Sequence, residues 1–293
     1  MRQIRLCSFL LLLTATGIFS SCKKQDPGGG NNPVVEAVVY PNVAYGSNAL
    51  QNMDAYLPAG RSSSTTKAMI MIHGGAWTTG DKSNFLPFID TLKKRLPGYA
   101  IFNINYRLSV YPNNLFPTQE LDTKAAIEYI YSKRSEYGIS DNFVLLGASA
   151  GGHLALLHAY KYGSPVKIRA VVDFFGPTDM TEMYNNPGQV PASSIALIVG
   201  TTPALNPTLY QQSSPINYVS ASASCPTIIL QGGLDPLVNP ITQSFRLKTS
   251  LQTAGVANQY VFYPDKGHGV DWDNATYFDA FNNIQQFLAT NNP

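Results

Sequence analysis

Charge, cysteine and histidine are all scarce in this chain. Only 13% of its 293 residues are Asp, Glu, Lys or Arg. The formal net charge is +2, and two of the basic residues, Arg2 and Arg5, fall at the amino terminus. Without them the 18 remaining basic residues balance the 18 acids. So neutral a chain offers no basic surface for a nucleic-acid backbone, and no nucleic-acid partner is expected. The three cysteines, Cys7, Cys22 and Cys225, supply neither a disulfide framework nor a thiolate metal site. Four histidines, His73, His153, His158 and His268, leave few choices for a general base. The apolar run Leu6–Phe19 is shorter than the ~20 residues that comfortably span a bilayer. No internal repeat is visible. What is present, 44% apolar residues, suits an ordinary folded protein with one large core or two small ones.

The front end has its own chemistry. Arg2 and Arg5 followed by the apolar Leu6–Phe19 fit a secretory signal. The run ends in Phe19-Ser20-Ser21-Cys22, and small residues before a cysteine resemble the cleavage site of bacterial lipoproteins. That resemblance implies a signal peptide over residues 1–21 and lipidation of Cys22. Several acyl chains make a stable membrane anchor where one does not. An ordinary signal peptide with a coincidental cysteine is the alternative. Residues 22–33, from Cys22 through the Gly/Pro-rich KKQDPGGGNNP, read as a tether spanning roughly 20 Å. Lys23 after the cysteine favours the outer membrane, by resemblance to bacterial sorting signals. Cys225 is then left unpaired, as a small buried residue.

From residue 34 to 293 the pattern is that of one folded domain. Val34–Tyr40 and Gln51–Leu57 read as a hairpin. Apolar strand-like runs follow at Ala68–Ile72, Ala100–Ile104, Phe143–Leu146, Ala170–Phe175, Thr227–Leu230 and Gln259–Tyr263. Helical spacing appears from Thr118, after Ser149, from near Pro240, and through Tyr277, Phe281, Ile284 and Leu288. Alternating strands and helices predict an α/β fold, a mostly parallel sheet with helices on both faces. Residues 177–223, rich in Pro, Ser, Asn and Tyr, break the rhythm and read as an insertion over the strand ends, of the kind that roofs substrate pockets.

The sharpest local feature is Gly147-Ala148-Ser149-Ala150-Gly151, where a buried strand gives way at once to a helix. So abrupt a turn forces the corner residue into a strained backbone. The residues two before and two after it crowd each other, so both must lack side chains; Gly147 and Gly151 do. Ser149 is lifted clear of the sheet, and the helix start presents free N–H groups, that of Ala150 among them. Taken alone, the pattern also fits a plain Gly/Ser turn.

A serine needs a base, an orienting acid and oxyanion donors to act as a nucleophile. His153 and His158 lie on the following helix, and His73 is tied to a glycine loop. His268, between Gly267 and Gly269 on a loop beyond the last strand, is free to reach the sheet edge. Asp235, past the Thr227–Leu230 run, is the acid candidate, with a cap or turn aspartate beside Pro236 as its other reading; Asp173, Asp179 and Asp265 are its rivals. His73-Gly74-Gly75-Ala76-Trp77 carries glycines that let backbone N–H groups approach a ligand. Each fragment alone has a bland reading as a loop, a cap or a surface histidine.

Together, in the order Ser149, Asp235, His268, they resemble the α/β-hydrolase superfamily. His73 to Trp77, Gly80-Asp81-Lys82, Asn105-Tyr106-Arg107-Leu108, Phe174 to Asp179 and Ser214-Pro215 resemble hormone-sensitive-lipase-like carboxylesterases, and nearer still feruloyl-esterase-like and kynurenine-formamidase-like enzymes. Ala76 stands where the lipase-like branch usually has a third glycine. The resemblance covers roughly residues 35 to 290. It implies Ser149 as nucleophile, His268 as base, Asp235 as orienting acid, and Gly74, Gly75 and Ala150 as oxyanion donors, with no cofactor and no metal. Trp77, Tyr106, Met180, Tyr184 and Trp272 are candidate pocket walls, and equally core residues. The expected activity is hydrolysis of small or medium acyl esters, with acetyl or feruloyl esters of polysaccharides as attractive substrates in a cell envelope. A serine peptidase and a non-catalytic binding protein on the same fold are the alternatives.

Overall fold

A computed structural model describes residues 35–292. The expected signal peptide, lipidated Cys22 and tether lie outside the described residues. The elements in chain order are strands β1 (Val38–Ala44), β2 (Asn52–Leu57) and β3 (Lys67–Ile72), helix α1 (Leu86–Arg95), β4 (Tyr99–Ile104), α2 (Thr118–Ser132), α3 (Arg134–Tyr137), β5 (Phe143–Ala148), α4 (Ala150–Lys161) and β6 (Ile168–Phe174). After these come α5 (Met180–Asn185), α6 (Ala192–Val199), α7 (Pro207–Gln212), β7 (Thr227–Gly232), α8 (Arg246–Thr253), β8 (Asn258–Tyr263) and α9 (Asn274–Asn291).

The eight strands form one sheet in the order β1-β2-β4-β3-β5-β6-β7-β8. β1, β2 and β4 pair antiparallel, and every other pair is parallel. The strands β3 to β7 are buried almost throughout, because helices cover both faces of a parallel sheet. Alternation then divides each strand between two cores. Ala68, Ile70, Ile72, Phe143 and Leu145 face a layer made by α2, α4, α8 and the insertion helices. Met69, Met71, Val144, Leu146 and Val172 face α1 and α9. Helix α4 is buried from Ala150 to Tyr160, which makes it the central helix of its layer.

The structure differs from the sequence reading at three places. β1 runs on through Pro41 and Asn42, with a register shift between Tyr40 and Val43; an edge strand tolerates both. Helix α1 carries only two buried anchors, Ile89 and Leu92, too few for a periodic signal. The insertion is helical, holding α5, α6 and α7, the first capped by Asp179 and the last by Asn206.

Candidate active site

Three strand ends build the site. β5 stops at Ala148, and Ser149 turns the chain into α4 with φ 55° and ψ −121°, a conformation strained for any residue with a side chain. A Cβ on Gly147 would overlap the Gly151 carbonyl, so the crowding expected across the corner is present. The Ser149 N–H donates to Phe174 O at 2.8 Å, tying the corner to the end of β6.

β7 delivers the acid. The Asp235 side chain is fully buried and collects four N–H donors. Leu237 and Val238 donate backbone N–H groups to Oδ1 at 2.8 and 2.9 Å, and Gln231 Nε2 donates to Oδ2 at 3.0 Å. His268 Nδ1 lies 2.6 Å from the same Oδ2. A carboxyl group so surrounded by donors is an acceptor, which puts the imidazole hydrogen on Nδ1 and leaves Nε2 with a lone pair. That Nε2 lies 2.8 Å from Ser149 Oγ. The His268 side chain is 11% exposed, enough to meet a substrate without being loosely held. The arrangement can take a proton from Ser149 and hold the resulting imidazolium against Asp235.

Gln231 carries a role that sequence alone does not assign. It is fully buried on β7, and its Oε1 accepts from Ser244 Oγ at 2.6 Å, so the amide that supports Asp235 is itself fixed. Its place at the strand end, four residues before the acid, is the only signal the sequence holds.

The glycine loop closes on the serine from β3. A Cβ on Gly74 would lie 3.3 Å from Ser149 Cβ and 2.9 Å from Ala148 O, so the close approach requires glycine. Gly75 has φ 110° and its carbonyl takes the N–H groups of Thr78 and Thr79, which curls the loop. Ala76 adopts φ 50°, in the left-handed region that favours glycine. The N–H of Ala150, at the first position of α4, has no acceptor within the helix. Below, Tyr106 stacks on His73 at 4.3 Å and donates to its carbonyl. Asn105 accepts from Lys82 N–H and donates to Asp81, so the two sequence motifs Gly80-Asp81-Lys82 and Asn105-Tyr106-Arg107 brace one loop. Arg107 grips the buried Asp122 with two nitrogens.

The other titratable groups go to the scaffold. His153 is fully buried, accepts the Trp77 indole N–H at 3.2 Å and donates to Ser213 O at 2.7 Å; burial pushes its pKa down to about 4. Burial likewise takes His158 down to about 3, with the nearby Lys124 charge adding to it. Burial lowers His73, against its bond to Gly74 O. Asp173 lies wholly inside the protein. Its Oδ1 accepts from Gly176 N–H at 3.0 Å, its Oδ2 has no partner, and burial drives its pKa well up. Asp179 caps α5 and pairs with Arg246, and Asp265 is a surface residue near Lys266.

A cavity of about 630 Å³ opens at Ser149, Gly74, Gly75 and His268. Of the five aromatic or thioether pocket candidates, Trp77 lines it. Tyr106, Met180, Tyr184 and Trp272 do not. Tyr106 and Met180 are spent in the core on the α4 side, Tyr184 packs on Tyr210 there, and Trp272 packs behind Phe174 and Phe175. The insertion contributes Pro177, Met183 and Val190, so it meets the cavity at one edge, and most of the wall lies on the α1/α9 side.

A serine, histidine and aspartate linked across the carboxyl ends of β5, β8 and β7 on this sheet define an α/β-hydrolase fold. The chain belongs to the BD-FAE family, whose match runs over residues 53–251. It is 32% identical over 69% of its length to a probable carboxylic ester hydrolase, LipM, of Mycobacterium tuberculosis, and 29% identical over 69% to the esterase LipQ of the same organism. The matches cover 48% and 50% of those proteins, so the chain spans about half the length of the curated relatives it matches. Among solved structures, a truncated carbohydrate esterase from gut microbiota is 28% identical, with a TM-score of 0.74 over 87% of this chain and 98% of that one.

Proposed function

We propose that this chain is a serine carboxylesterase, and that its substrates are acyl esters of carbohydrates. The observation that carries the reading is the unbroken hydrogen-bond chain from Ser149 Oγ through His268 to the buried Asp235, set beside a glycine loop. Ser149 attacks the ester carbonyl while His268 Nε2 takes its proton. Asp235, held by Gln231 and two backbone N–H groups, keeps the imidazole in the needed tautomer and offsets its charge. The N–H groups of Gly74, Gly75 and Ala150 meet the oxyanion. His268 then protonates the leaving alcohol and activates water to free the acyl group. The likeness to esterases, one of them a carbohydrate esterase, supports the substrate class. A peptidase that grips a chain terminus needs a charged group to hold it, and no Asp, Glu, Lys or Arg lines the cavity among the described residues. The same proposal has the chain held in a bacterial cell envelope by lipid on Cys22, on the strength of the Ser20-Ser21-Cys22 sequence.

The test is active-site labelling. A fluorophosphonate should modify one residue, located by peptide mapping at Ser149. Ser149→Ala should abolish labelling and lower kcat for a 4-nitrophenyl ester by ~10⁴-fold or more with the fold retained. An active Ser149→Ala protein, or label elsewhere, refutes the mechanism.

A further inference from the structure

The cavity beside Ser149 extends beneath the sheet, between α1 and α9. There Met71 of β3 and Leu146 of β5 form the ceiling, and Leu92 of α1 stands opposite; each is no more than 1% exposed, so the far end is closed by protein. Phe88, Tyr277 and Phe281 form the side walls, with Phe88 and Tyr277 rings 4.9 Å apart and Phe88 and Phe281 5.7 Å apart. At the opposite, open end stands Val270, 98% exposed.

We propose that this closed arm is the acyl compartment of the site, and that it takes a neutral, apolar acyl group well beyond acetyl in size. The inference rests on the carboxylesterase reading above. Three observations carry it. First, size: an acetyl group of three heavy atoms fills on the order of 90 Å³ if each takes about a water's ~30 Å³ share. The whole cavity, its open end included, holds about 630 Å³, several times that volume, and the arm with its six apolar and aromatic walls is one part of it. Second, chemistry: the only side chain of the arm's walls with a polar atom, Tyr277, already donates its hydroxyl to Gly269 O at 2.9 Å. A charged acyl group would lose its hydration there without gaining a partner. Third, direction: a closed end admits only the terminus of a substrate. The acyl group ends the molecule, whereas a carbohydrate alcohol continues and must leave through the open end past Val270. Acyl length and polarity are therefore read by α1 and α9, and not by the insertion.

The experiment measures kcat/KM for 4-nitrophenyl acetate, butyrate, hexanoate and octanoate, a 4-nitrophenyl hemisuccinate, and acetates of alcohols of increasing length. The wild-type value should rise about fourfold per methylene from acetate to hexanoate, the fold-change equivalent to about 0.8 kcal/mol per buried CH₂. The hemisuccinate should fall below the butyrate by at least tenfold. Phe88→Trp, at a half-buried position that tolerates bulk, should lower the hexanoate-to-acetate ratio at least tenfold. Leu92→Ala should move the optimum to longer chains. A flat or falling acyl series overturns the proposal, as do unchanged ratios in both variants once thermal melts show them folded. Length discrimination confined to the alcohol series overturns it too. These failures leave acetate turnover intact and so spare the carboxylesterase reading. If no ester is turned over and Ser149 takes no label, that reading fails and this one with it.

Discussion

Asp173 is the residue whose cost is most visible. It sits on β6 directly across from Gly147, and its carboxyl is enclosed by Gly152 and Gly176, where any Cβ would collide with Oδ1. With one oxygen unpartnered and burial driving the pKa well up, the folded state holds this proton more tightly than the unfolded state does. Below the unfolded carboxylate range both states are protonated and pH has no effect. As pH rises above it, the unfolded chain releases the proton first and stability falls, by up to ~1.4 kcal/mol per pH unit, until the folded group ionises. Asp173→Asn keeps the acceptor for Gly176 N–H and removes the ionisation. Urea unfolding at pH 4, 6 and 8 should show the variant gaining on the wild type with each step; parallel curves would contradict this. At this scale the sequence was informative where chemistry dictates residue type. Ser149, Asp235 and His268 could be singled out because few other histidines or post-strand aspartates compete. Gln231 could not, since a glutamine declares nothing until its partners, Asp235 and Ser244, are in space.

Elements were legible in proportion to their burial. The parallel strands stand out as apolar runs because both faces are covered, and their observed bounds fall within about two residues of the runs read from sequence. Helix α1 is an amphipathic segment with two anchors, and its carboxyl-terminal Lys93, Lys94 and Arg95 reinforce a loop-like look. The six-residue α5 and α7 are too short for periodicity, and only their Asp179 and Asn206 caps mark them. The contact that matters most between elements is that of α4 with the end of β3. A Cβ on Gly151 would overlap the Ile72 carbonyl and lie 2.6 Å from His73 O, both rigid backbone. Gly151→Ala should therefore push α4 off the sheet, lowering stability by ~2 kcal/mol or more and displacing Ser149 from the glycine loop. Chemical denaturation and fluorophosphonate labelling of the same preparation would show both losses. A variant matching the wild type in midpoint and labelling rate would show that α4 has slack here.

For the whole molecule, the sheet is a partition, and which side a residue falls on decides its role. Sequence alone shows that Tyr106, Tyr184 and Trp272 are large and aromatic, not which core each fills; that depends on the phase of strands and helices it is packed between. The same limit applies to the insertion, whose composition suggests a roof over the strand ends and which lies mostly against the α4 side. Membrane attachment is a property of the whole chain too, and it can be argued against the folded domain. Among the described residues no helix is long and apolar enough to cross a membrane. From residue 34 on the sequence has no excess of basic residues to bind an anionic surface. With residues 1–21 removed, as the proposal has it, retention in a membrane fraction depends on Cys22. A thiol carrying one acyl chain binds weakly and reversibly, whereas a diacyl anchor with an acylated amino group does not let go on washing. We expect the wild-type protein to sediment with membranes through high-salt and carbonate washes and to dissolve in detergent. Mass spectrometry of its amino-terminal peptide should begin at Cys22 with acyl groups attached. Cys22→Ser should release the protein to the soluble fraction with its esterase activity per molecule unchanged. Membrane sedimentation that survives Cys22→Ser would remove the lipid anchor from the proposal and leave the hydrolase chemistry standing.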